Sequence, residues 1–78
     1  MSNDGRISPL RLWAIEVKAT LSPPVSADDL FYALLHKDRP EVLKYFNGQS
    51  IPRNSVERRS LEDRIEALRY IATQVVVN

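Results

Sequence analysis

Between residues 25 and 52, apolar positions recur in two short groups, each opened by a cap signal and separated by almost no loop. Leu30, Phe31, Leu34 and Leu35 fall on one face at helical spacing, and Val42, Tyr45 and Phe46 do so again. Ser26 followed three residues later by Asp29 reads as a capping box, with Val25 placed to staple onto Leu30. Asp38 and Glu41 repeat the box around Pro40, whose missing N–H suits a first helical turn, and Asn47-Gly48 is a stop signal. The pattern predicts helices over 27–36 and 39–47 with a turn near Lys37 and Asp38.

The flanking segments carry longer patterns. From Leu10 to Leu21 two periods compete: Leu10, Trp13, Ala14, Val17 and Leu21 make a helical stripe, whereas Trp13, Ile15, Val17, Ala19 and Leu21 alternate as in a strand. Ser8 as N-cap and Pro9 at the first position favour a helix over 9–21, stopped by Ser22-Pro23-Pro24. Asn54 and Glu57 form another cap box before a last helix over 55–73. Its seam of Leu61, Ile65, Leu68, Ala72 and Val75 is spaced to pack on the earlier helices or on a second copy, and predicts a homodimer interface. Val75, Val76 and Val77 are β-branched and should fray that helix. The expectation is an all-α fold: a compact bundle of about four helices with a candidate helix-turn-helix and a long C-terminal helix. Residues 1–7 read as a flexible tail and 8–78 as a single helical domain.

Composition narrows the function classes. A 78-residue chain buries a modest share of its surface, so its stability is expected to be small or shared with a partner. The absence of cysteine excludes disulfides and thiolate zinc sites and fits a reducing cytoplasm, and no apolar run suits a membrane span or a signal peptide. Eleven basic and ten acidic residues leave a net charge of +1, so nucleic-acid binding would need a local basic patch. His36 is the only histidine and suits a helix C-terminus better than a metal site. Asp28 and Asp29 are adjacent on a helix and point apart, as first-turn charges rather than a catalytic pair. With no glycine-rich phosphate loop and no nucleophile elbow, neither enzyme activity, nor a cofactor, nor a metal is expected.

The segment RPEVLKYFNGQSIP, with Val42, Tyr45, Asn47-Gly48 and Pro52 in register, resembles the recognition helix and following turn of the λ-repressor/Cro-type helix-turn-helix family, over residues 26–52. The resemblance implies a third helix lying in the major groove of duplex DNA, with Arg39 and Lys44 reaching bases or phosphates and Gln49 and Arg53 contacting the backbone. Leu43 is expected at the exposed edge of that helix, where it could meet a thymine methyl or a protein. Arg58 and Arg59 could add phosphate contacts, or pair with Glu62 and Asp63 one turn on. Two functions stay open: a small DNA-binding regulator, dimeric through its last helix, or a helical adaptor or inhibitor acting on a larger protein. The acidic residues Asp38 and Glu41 at the start of the third helix and the near-neutral charge support the second, while the DNA-binding regulator is the sharper reading and the one expected here.

Overall fold

The computed structural model describes residues 8–77, and the predicted tail at 1–7 lies outside them. The described residues form four helices and no strand: α1 (Pro9–Ala19), α2 (Ala27–Lys37), α3 (Pro40–Phe46) and α4 (Ser55–Val77).

Local chemistry accounts for the helix starts. Ser8 Oγ accepts the Arg11 N–H at 3.1 Å ahead of Pro9, which resolves the competing periods in favour of a helix. At α2 the capping box is complete: Ser26 Oγ accepts the Asp29 N–H at 3.1 Å, and the Asp29 carboxylate accepts the Ser26 N–H at 3.3 Å. Ser26→Ala is expected to cost about 1 kcal/mol, read as a lower urea midpoint with an unchanged slope. Before α4, Asn54 Oδ1 accepts the N–H groups of Val56 at 2.7 Å and Glu57 at 3.3 Å.

Helix α4 is the common wall of the domain: α1, α2 and α3 each pack against it, α2 most extensively, while α1 and α3 do not meet. The core comprises Ala14 and Val17 of α1, Leu30, Phe31, Leu34 and Leu35 of α2, Val42 of α3, and Leu61, Leu68, Ile71, Ala72 and Val75 of α4. Phe31 stands at its centre, edge-on to Phe46 with ring centroids 5.6 Å apart and capped by the Arg69 guanidinium 4.2 Å from its ring centre.

Two expectations about α4 need correction. The seam of Leu61, Leu68, Ala72 and Val75 is buried within one chain and Ile65 is partly buried, so it forms the core rather than a surface for a second copy. The valines do not fray: α4 runs to Val77, because Val75 and Val76 pack on the core and their burial outweighs weak helix propensity.

Candidate nucleic-acid interface

Only Asp38 and Arg39 separate α2 from α3. Pro40 disfavours helical geometry in the residue before it, and Arg39 is extended, with φ −61° and ψ 142°. The chain therefore turns sharply here, with Pro40 opening the next helix.

The predicted cap box at this turn does not form: Arg39, not Asp38, is the N-cap of α3, and it makes no side-chain capping bond. Asp38 turns inward. Its carboxylate accepts two hydrogen bonds from Arg64 of α4, from Nε at 2.8 Å and Nη2 at 3.3 Å, and its side chain is only 8% exposed. Burial pushes the Asp38 carboxyl up, but the Arg64 hydrogen bond, the Arg39 backbone and the charges of both arginines outweigh it, holding the group below its ordinary range. Arg64 also lies over the Trp13 ring, 6.0 Å from its centre, so one side chain joins α1, the turn and α4. The acid nearest the start of α3 is thus neutralised from behind, and Glu41 is the exposed carboxylate there.

Helix α3 buries Val42, half-buries Tyr45 and Phe46, and exposes Pro40, Glu41 and Lys44. Leu43 departs from expectation: it is half-buried and packed on the core, because a helix of seven residues wedged against both α2 and α4 has little edge left over. At the other end, the N–H groups of Gln49 and Gly48 donate to the Lys44 and Tyr45 carbonyls at 2.8 and 3.0 Å. This closing pattern requires the left-handed backbone that Gly48 supplies at φ +74°. Gln49 is thereby folded back beneath Lys44, and both side chains are exposed.

Two further ties fix α3 and its connector on α4. The Tyr45 hydroxyl donates to Glu62 Oε2 at 2.6 Å, and this bond, with some desolvation, raises the Tyr45 pKa. Arg58 donates from Nη1 to the Pro52 carbonyl at 2.8 Å and the Arg53 carbonyl at 2.9 Å. The expected Arg58–Glu62 pair is absent among the described residues, both partners being engaged with the connector and α3 instead, while Arg59 meets Asp63 at 3.5 Å as expected. Arg39, Glu41, Pro52, Glu57 and Ser60 line one shallow depression, and Ser60 borders a second with Val56 and Arg59. The start of α3 and the start of α4 therefore face one surface region. Arg53 is exposed on the connector between them. Sequence reasoning missed Ile51 and Val56 here, 63% and 75% exposed, whose apolar side chains were masked by their place in a polar loop and cap.

Of the other candidates, His36 is exposed in the last turn of α2, and Asp28 and Asp29 lie in its first turn. No helix among the described residues is long and apolar enough to cross a membrane. The geometry defines a small all-α domain of four helices, among the described residues, whose third, short helix is tied to α4 with a polar face outward. No protein family, curated protein or solved structure matches this chain.

Proposed function

We propose that the chain is a small DNA-binding regulator in which α2 and α3 act as a helix-turn-helix and the outer face of α3 enters the major groove. The observation that carries this reading is a local charge imbalance. Residues 39–59 hold five basic and two acidic residues, whereas the rest of the chain holds six basic and eight acidic. That basic excess is spread over α3, its connector and the first turns of α4: Arg39 shares its depression with Glu41 and Glu57, and Arg58 is turned onto the Pro52 and Arg53 carbonyls, so Arg39, Lys44, Arg53 and Arg59 are the bases left to a ligand. In this reading Arg39 and Lys44 meet bases or phosphates, Gln49, Arg53 and Arg59 flank them on the backbone, and the Asp38–Arg64 pair neutralises one of the acids near the start of α3, Glu41 being the one still exposed there. Leu43 contributes to placing α3 rather than to reading a base.

Fluorescence anisotropy with a short labelled duplex at two salt concentrations tests the proposal. Affinity should fall steeply as salt rises, and Arg39→Ala or Lys44→Ala should each weaken binding and flatten the salt slope by about one unit. Binding undetectable at low salt, or slopes unchanged in both variants, would refute it. The exposed Ile51 and Val56 favour a second reading, an adaptor or inhibitor that docks this same surface on a larger protein. On that reading the two basic substitutions are nearly silent toward the partner, and Ile51→Ser is the damaging change.

A further inference from the structure

Helix α1 carries two apolar faces, and the described residues cover one of them. Ala14 and Val17 are buried, with Leu10 and Trp13 packed beside them. On the opposite side Leu12 and Ile15 are 47% and 40% exposed, and Ala19 is exposed in line with them. With 3.6 residues per turn, Leu12, Ile15 and Ala19 fall within a sector of about 60°. Arg11 and Lys18 border that sector on one side and Glu16 on the other. The arrangement is a short heptad segment, with Leu12, Ile15 and Ala19 at successive a, d and a positions, Arg11 at g and Glu16 at e. Ile15 also borders two adjoining depressions, one with Arg11, Lys18 and Val75, the other with Ala19, Leu21, Pro23 and Val25, so apolar surface continues beyond the helix. Among the described residues neither Arg11 nor Glu16 forms an ion pair.

We infer that a second copy of this chain covers this face, with the two α1 helices side by side and parallel about a two-fold axis. The charges choose both the occupant and the direction. In a parallel pair the g flank of one helix meets the e flank of the other five residues on, so Arg11 meets the partner's Glu16, and the symmetry makes that contact twice. An antiparallel pair would set the Arg11 and Lys18 flank against itself and Glu16 against the partner's Glu16, which is repulsive. A helix of 11 residues spans only about 16 Å. The contact therefore lies below the area of a permanent interface, and the dimer is a weak, reversible one. It leaves the α3 surface uncovered, because α1 and α3 do not touch.

Sedimentation equilibrium on the full chain tests this. The native protein should pass from monomer toward dimer mass between about 10 µM and 1 mM, and Ile15→Lys should raise the dissociation constant by at least about tenfold. Arg11→Glu and Glu16→Arg should each do the same. Both variants should stay folded, since the first adds an acid to the first turn and the second a base toward the last, where the helix dipole favours them; circular dichroism melts verify it. Mixed in equal amounts, the two charge variants should regain native association, because both cross-helix contacts then join opposite charges. A native chain that stays monomeric at about 1 mM, single variants that associate as the native chain does, or a mixture that stays monomeric would each overturn the proposal.

Discussion

Phe31→Ala is expected to remove a large part of the chain's folding stability. Phe31 is 1% exposed, packs edge-on against Phe46 and carries the Arg69 guanidinium on its face. Truncating such a ring removes its transfer free energy and leaves a cavity, together about 3–5 kcal/mol. A domain of this length holds roughly 4–12 kcal/mol in total. The thermal midpoint should drop by about 12–40 °C. Phe31→Leu, which keeps most of the volume but not the ring contacts with Phe46 and Arg69, should cost less than the alanine change. The neighbouring Tyr32 is half exposed and serves as the control: Tyr32→Ala should do far less. A melt for Phe31→Ala within a few degrees of the native one would show that the core does not centre on this ring.

The second large effect is expected at the joint between α2 and α3. Removing the Asp38 side chain leaves Arg64 without its carboxylate, and after allowing for Arg64 being one-third exposed the loss is about 1–2 kcal/mol. The same pair makes stability depend on pH. Because the folded chain holds the Asp38 carboxyl below its ordinary value, its stabilising contribution is complete above the unfolded value of about 3.9 and disappears as pH falls from there through the folded value. Urea titrations at pH 7 and at pH 3 should show that Asp38→Asn loses less stability between the two than the native chain does. An equal loss in both proteins would mean that the pair contributes nothing to acid sensitivity.

Elements governed by neighbours in sequence were legible beforehand. Ser8, Ser26, Asn54 and Gly48 mark helix boundaries through bonds spanning a few residues, and the buried faces of α1 and α2 follow from apolar spacing alone. What was misread depends on distant partners. Asp38 looks like a cap until Arg64, 26 residues away, claims it. Arg58 looks paired with Glu62 until the connector carbonyls and the Tyr45 hydroxyl compete for the two partners over 5 to 17 residues. Propensity and the pattern of a single helix face misplace Leu43 and the terminal valines, because contact with other helices decides their burial. For the candidate interface, the exposure of Arg39, Lys44, Gln49 and Arg53 follows from their polarity and position. Their support by three polar ties to α4 does not.

The position of α4 has a consequence for how the domain comes together and comes apart. Since α1 and α3 touch it but not each other, and α2 spreads most of its contact over it, no subset of helices lacking α4 closes a core. Folding must then be concerted: α1, α2 and α3 are each too short to persist as helices unaccompanied, and they have no surface on which to condense until α4 is in place. A break anywhere in the span from Leu61 to Val75 is felt at both ends of the molecule at once, so the surface around α3 exists only when the whole chain is folded.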